Sequence, residues 1–143
     1  MQVQAILSDK GRTLVTVPED ASLHEAAATL ARHKIGAVVV RLESGGIAGI
    51  LSERDIIKAV AADGASALDQ RVSSVMTRDV VTCGPNDHVN RVMDQMTRGR
   101  FRHMPVVDRD GLQGIVSIGD VVKHHIAEVE MEASALKSYL VAG

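Results

Sequence analysis

The sequence predicts a mixed α/β fold: two β-α-β-β-α repeats packed with pseudo-two-fold symmetry, followed by a C-terminal helical tail. Three observations lead there. Gly49-Ile50-Leu51-Ser52-Glu53-Arg54-Asp55-Ile56 reappears as Gly114-Ile115-Val116-Ser117-Ile118-Gly119-Asp120-Val121, a shift of 65 residues. Val15-Thr16-Val17 reappears as Val81-Thr82-Cys83 at a shift of 66, and Val39-Val40 matches Val106-Val107 at a shift of 67. Repetition at this period, with the same polar residues in the same places, implies two similar units folded against each other. The falling shift implies a turn over Arg41 to Gly46 two residues longer than the turn over Asp108 to Gly111. On this reading residues 1–65 are the first repeat, 66–125 the second and 126–143 the tail.

In the first repeat, Leu14 to Val17 reads as a short strand closed by Pro18. Ser22 with Glu25 three residues on is a capping-box pattern, opening a helix to about Lys34 with Leu23, Ala26, Ala27 and Leu30 on one face. The unbroken run Ala37 to Val40 suits a strand covered on both sides. Gly45-Gly46 turns the chain into a strand over Ile47 to Leu51. Ser52 then opens a helix expected to bury Ile56, Ile57 and Val60. Asp63-Gly64 and the small residues of Ala61 to Gln70 read as an exposed connection. The second repeat follows the same order: a strand over Val80 to Cys83, a helix from Asp87 to Arg98 burying Val89, Val92, Met93 and Met96, strands over Met104 to Val107 and Leu112 to Ser117, and a helix from Asp120. In the tail, Ile126, Val129, Ala133, Leu136 and Leu140 are spaced 3, 4, 3 and 4, the pattern of a helical seam. That face can pack on its own domain or on a second copy.

Composition removes several function classes. Net charge is −2, and the aromatic residues are one Phe and one Tyr with no Trp. This leaves neither the basic groove nor the stacking rings of a single-strand nucleic-acid binder. No apolar run is long enough to span a bilayer, and the first residues do not read as a signal peptide. A single cysteine, Cys83, excludes an internal disulfide and suits a reducing compartment, so the protein is expected to be cytoplasmic. Gly-x-x-x-x-Gly-Lys-Ser/Thr, Gly-x-Gly-x-x-Gly, His-Glu-x-x-His and Cys-x-x-Cys are all missing, and no nucleophile carries a recognisable catalytic motif. The expectation is a binding protein and not an enzyme, with no metal and no catalytic cofactor.

The polar residues that recur carry the candidate chemistry. Ser52/Asp55 and Ser117/Asp120 can each be a helix cap and nothing more. Each also follows an apolar strand at a helix N-terminus, where free N–H groups suit a phosphate and a nearby carboxylate can accept ribose hydroxyls. Phe101-Arg102-His103-Met104-Pro105 puts a fixed cation beside a titratable one, either as a solvated basic edge or as a phosphate contact. The matching residues of the first repeat are read as Ile35 and Gly36, so the two halves are electrostatically unequal, with Arg54 as a substitute cation. Thr16 and Thr82 stand at strand ends. Cys83 reads as a small buried residue. His124 and His125 diverge on a helix, with His124 able to pair with Glu128.

Together, Gly49-x-x-Ser52-x-x-Asp55, Gly114-x-x-Ser117-x-x-Asp120 and Arg102-His103-Met104-Pro105-Val106-Val107-Asp108 resemble a stand-alone tandem pair of cystathionine β-synthase (CBS) domains, a Bateman module, over about Val3 to His125. The resemblance implies an adenine-nucleotide sensor with two clefts between the repeats, binding AMP, ADP, ATP, NAD(H) or S-adenosylmethionine as a regulatory ligand. Asp120 would hold ribose, Ser117, Arg102 and His103 would meet phosphate, and Thr16 with the backbone of Ile35, Gly36 and Ala37 would line the adenine end. The second cleft would use Ser52, Arg54, Asp55 and Thr82. The family also implies a homodimer and a regulated partner protein, with no part for nucleic acid or membrane. A ligand-independent assembly module is the competing reading.

Overall fold

A computed structural model describes residues 1–11 and 14–142. In chain order the elements are α1 (Val3–Lys10), β1 (Thr16–Pro18), α2 (Leu23–His33), β2 (Ala37–Arg41), β3 (Ile47–Ser52), α3 (Glu53–Asp63), α4 (Val89–Gly99), β4 (His103–Asp108), β5 (Gly111–Ser117) and α5 (Ile118–Ala142), with short 3-10 segments at Gly64–Asp69 and Val72–Ser74. The chain divides into two compact units, residues 14–81 and residues 1–13 with 82–143. Residues 66–81 group with residues 14–65 in the first of these units, and the N-terminal helix groups with residues 82–143 in the other.

In the unit 14–81, β1 runs parallel to β2, and β2 pairs antiparallel with β3. Ser22 caps α2 by accepting the Glu25 N–H at 3.1 Å, and Lys34 ends the helix in the left-handed region. Leu23, Ala26 and Leu30 of α2 meet Val38, Val40 and Leu51 of the sheet, and Val72 completes the core. α3 departs from expectation. Ile57 is 65% exposed and Val60 is also exposed, whereas Ile56 and Ala59 pack against the core. The inward stripe follows i, i+3, and the apolar residues beside it face out. The expected exposed connection is mostly helical and buries Ala67, and Thr77 then forms a two-way backbone bridge to Ile50 at 2.9 and 3.0 Å.

In the other unit β4 and β5 form a two-stranded antiparallel sheet. The strand expected over Val80 to Cys83 reduces to one parallel bridge, Cys83 to Val106. Thr82 is exposed and lies in no strand. The helix missing from the sequence reading is α1, whose Val3, Ile6 and Leu7 are buried with Val89, Val92, Met96, Met104, Val106, Val116 and Val121. α5 is one continuous helix of 25 residues, so the tail is an extension of the second repeat's last helix.

The register corrects the alignment of the repeats. Ala37 pairs with Ser52, and His103 with Ser117; Val40 pairs with Gly49, and Val106 with Gly114. The Glu53 N–H donates to the Gly36 carbonyl at 2.9 Å, and the Ile118 N–H to the Arg102 carbonyl at 2.8 Å. Arg102 and His103 are therefore equivalent to Gly36 and Ala37, one residue on from Ile35 and Gly36, and Val106 matches Val40. The first hairpin is longer by one residue rather than two.

Candidate functional site

Both Ser-x-x-Asp pairs are helix caps. At α3, Ser52 Oγ accepts the Asp55 N–H at 3.3 Å, while Asp55 Oδ2 accepts the Ser52 N–H at 2.9 Å and faces its hydroxyl at 3.1 Å. At α5, Ser117 Oγ accepts the Asp120 N–H at 3.1 Å and Asp120 Oδ2 accepts the Ser117 N–H at 2.9 Å. Each reciprocal pair satisfies donors that the first turn of a helix leaves open. The same geometry fixes a carboxylate at the positive end of a helix dipole, directly after a β-strand.

The two caps differ through a residue that the repeat pattern does not reveal. Lys10, at the end of α1, places Nζ 2.7 Å from Asp120 Oδ2 and 3.1 Å from the Ile115 carbonyl. Burial raises the Asp120 pKa, but the Lys10 hydrogen bond and charge and the contacts from Ser117 outweigh it. The carboxyl is held below the usual carboxylate range. Asp9, the neighbour of Lys10, has Oδ2 2.8 Å from His124 Nε2, and His124 Nδ1 lies 3.0 Å from the Asp120 carbonyl. His124 thus pairs with Asp9 and not with Glu128, and His125 pairs with Asn90 at 2.7 Å. Lys10 and Asp9 lie outside the repeated motif. Only the i, i+3, i+4 spacing of Val3, Ile6 and Leu7 signals that a helix delivers them.

The lowered Asp120 pKa has a pH consequence. A carboxyl with a folded pKa below its unfolded one contributes stability above the unfolded pKa, and the contribution is lost as pH falls through the folded value. Stability is expected to drop on acidification below about pH 4, and less steeply in Lys10→Met. Denaturant unfolding of both proteins across that range measures the difference.

Within residues 82–143 the register places His103 opposite Ser117, with Arg102 one residue before it and exposed at the strand's start. Arg102, His103, Ser117 and Asp120 thus belong to one strand-pair end and one helix start. Within residues 14–81, Ala37 faces Ser52 across β2 and β3; Arg54 is exposed on α3, and Thr16 pairs with Val39 at the start of β1. Ile35 and Gly36 line an open groove of about 570 Å³ between α2 and α3, with Leu30, Lys34, Glu53 and Ile57. Thr82 is in the other unit from Ser52 and Asp55. Cys83 is buried, and desolvation with the nearby Asp87 charge pushes its thiol pKa up to about 12. Among the described residues no group of His, Cys, Asp and Glu could hold a metal ion, and no helix is long and apolar enough to cross a membrane.

These paired strand–Ser–helix units are those of a tandem CBS protein. The chain belongs to the CBS-domain family, whose model matches residues 9–62 and again 72–126. It is 35% identical over 128 residues to CBS domain-containing protein CBSX3, mitochondrial, of Arabidopsis thaliana, covering 87% of this chain and 62% of that protein. The chain therefore spans less than two thirds of that relative's length. Among solved structures it is similar to the CBS-domain containing protein ATU1752 from Agrobacterium tumefaciens, with 53% identity, a TM-score of 0.81, and coverage of 85% of this chain and 91% of that one. It is also similar to PAE2072 from Pyrobaculum aerophilum complexed with AMP (29% identity, TM-score 0.75, covering 84% and 89%). A further similar structure is the CBS domain pair of protein MJ0100 in complex with 5-methylthioadenosine and S-adenosyl-L-methionine (28% identity, TM-score 0.79, covering 90% and 98%).

Proposed function

We propose that this protein is a regulatory module that binds an adenosine ligand, with Asp120 as the ribose acceptor. The observation that carries the reading is the Asp120 carboxylate, ionised and held at the start of α5. Ser117 and Lys10 both engage it through Oδ2, which leaves Oδ1 to accept a ribose hydroxyl. Arg102, at the same strand end, supplies a charge-assisted contact for phosphate, with His103 next to it. Similarity to CBS pairs complexed with AMP, 5-methylthioadenosine and S-adenosylmethionine supports adenosine as the shared chemistry. Ser52, Asp55 and Arg54 form a second, weaker set, because Gly36 and Ala37 stand where the other unit has Arg102 and His103. The ligand acts as a signal and not as a substrate, shifting the protein between arrangements that a partner protein distinguishes.

Titration calorimetry with AMP tests the assignment. Losing a charged hydrogen-bond acceptor costs about 1.5–3 kcal/mol, so Asp120→Ala is expected to weaken AMP by roughly ten- to a hundredfold. Asp55→Ala removes the equivalent cap and controls for stability; it should have the smaller effect on affinity. Equal affinity in wild type and Asp120→Ala removes Asp120 from the site. A second reading, a ligand-independent assembly module, is favoured by the completeness of both caps. It predicts that each substitution lowers stability by about 0.5–2 kcal/mol with no nucleotide effect at all.

A further inference from the structure

We infer that Lys10 makes the site at the start of α5 selective for an anionic 5′ group, so that its ligand is an adenosine phosphate and not a thioether or sulfonium of adenosine. This rests on the adenosine reading above and goes beyond it by choosing the ligand's chemical class. Lys10 belongs to one cap only. Among the described residues the Asp55 carboxylate is engaged by Ser52 alone, whereas Asp120 also has the Lys10 ammonium 2.7 Å from Oδ2. The ammonium is fixed from two sides, since it also donates to the Ile115 carbonyl at 3.1 Å. A lysine ammonium has three donors, and these contacts use two, which leaves one for a ligand oxygen. The end of α1 that carries it is tied down by its neighbour Asp9, whose Oδ2 lies 2.8 Å from Nε2 of the buried His124 on α5.

Charge at this end of the unit then chooses the ligand. Lys10 and Asp120 cancel, and Asp9 is turned to His124, so the exposed guanidinium of Arg102 and the positive end of the α5 dipole remain. Replacing Lys10 by an uncharged residue would leave the Asp120 charge uncompensated and cancel that excess. The Lys10 and Asp120 side chains are 36% and 23% exposed, so water screens the pair only in part. A ribose held at Asp120 Oδ1 carries its 5′ group within the roughly 8–10 Å over which charges act at ordinary salt. Adenosine ligands differ in charge at that position. AMP has a phosphate, 5-methylthioadenosine a neutral thioether and S-adenosylmethionine a cationic sulfonium. The site with Lys10 favours the first and repels the last.

Titration calorimetry of the full-length protein with these three ligands tests the inference, and 5-methylthioadenosine is the internal reference because its 5′ group is uncharged. Wild type is expected to bind AMP more tightly than 5-methylthioadenosine, and S-adenosylmethionine more weakly. In K10M, relative to 5-methylthioadenosine, AMP should weaken several-fold and S-adenosylmethionine should tighten several-fold. K10R keeps the charge and should keep the wild-type order. A purely structural role for Lys10 would weaken all three ligands alike and leave the ratios unchanged, and circular dichroism checks that K10M is folded. Ratios that do not move in K10M, or a wild type that prefers S-adenosylmethionine to AMP, overturn the inference while leaving the adenosine site in place. Failure of all three ligands to bind wild type removes the adenosine site itself, and the inference with it.

Discussion

Ile6→Ala is expected to destabilise the unit formed by residues 1–13 and 82–143 by about 2–5 kcal/mol, the usual cost of removing a buried Ile side chain and leaving a cavity. Ile6 is fully buried, one helical turn from Val3 and next to Leu7, and the three share one core with Val92, Met104, Val116 and Val121. The loss does more than remove transfer free energy. α1 has only eight residues, too few for a helix to stand without packing. Lys10 and Asp9 sit at its C-terminal end, so loosening α1 also removes the Lys10–Asp120 ion pair at 2.7 Å and the Asp9–His124 contact at 2.8 Å. Urea unfolding should show the midpoint falling. A conservative Ile6→Val, which keeps most of the volume, should cost about 0.5–1.5 kcal/mol. If Ile6→Ala is as stable as wild type, α1 is not part of this core.

Gly49→Ala is expected to be the second costly change, for the opposite reason: too little room. A Cβ at Gly49 would lie 2.5 Å from the Thr77 carbonyl oxygen and 2.9 Å from Met76 Sδ. The carbonyl cannot retreat, because it accepts the Ile50 N–H at 3.0 Å and its own N–H donates back to Ile50. Overpacking of this kind costs about 1–3 kcal/mol. Gly114 occupies the equivalent place in the other repeat, yet there the added Cβ would meet only Leu7 Cδ2, at 2.8 Å. A terminal methyl can rotate away, so Gly114→Ala should cost clearly less. Thermal unfolding of the pair provides the comparison. Equal losses would mean that β3 does not approach the 76–77 segment as closely as described.

That contrast shows what the sequence could and could not disclose. The repeat made both glycines, both serines and both aspartates visible, and the 3.6- and 2-residue periodicities located α2, β2, β3, α4, β4 and β5 within one or two residues. What surrounds those residues is tertiary and leaves no mark on the repeat. Lys10 reaches Asp120 across 110 positions of sequence. The one-residue slip in matching Arg102 and His103 arose because valines in adjacent strand positions look alike, and only strand pairing distinguishes them. On α3, Ile56, Ile57 and Val60 all fit a helical stripe, but the sheet covers only the line through Ile56 and Ala59. The Val80–Cys83 segment has strand-forming residues but pairs only at Cys83, so propensity was not enough. α1 does carry the spacing of a buried helix face in Val3, Ile6 and Leu7, so its signal lies in the sequence although outside the repeat.

The central claim, that an adenosine ligand binds through Asp120, is tested most directly by thermal unfolding of nucleotide-free protein with AMP, ADP, ATP, NAD, NADH and S-adenosylmethionine in turn. A ligand at a hundred times its dissociation constant stabilises the native state by about 2.7 kcal/mol, a shift on the order of 5–15 °C for a domain of this size. The account predicts a selective shift with at least one of these ligands that disappears in Asp120→Ala. No shift with any of the six, or a shift that survives in Asp120→Ala, would contradict it.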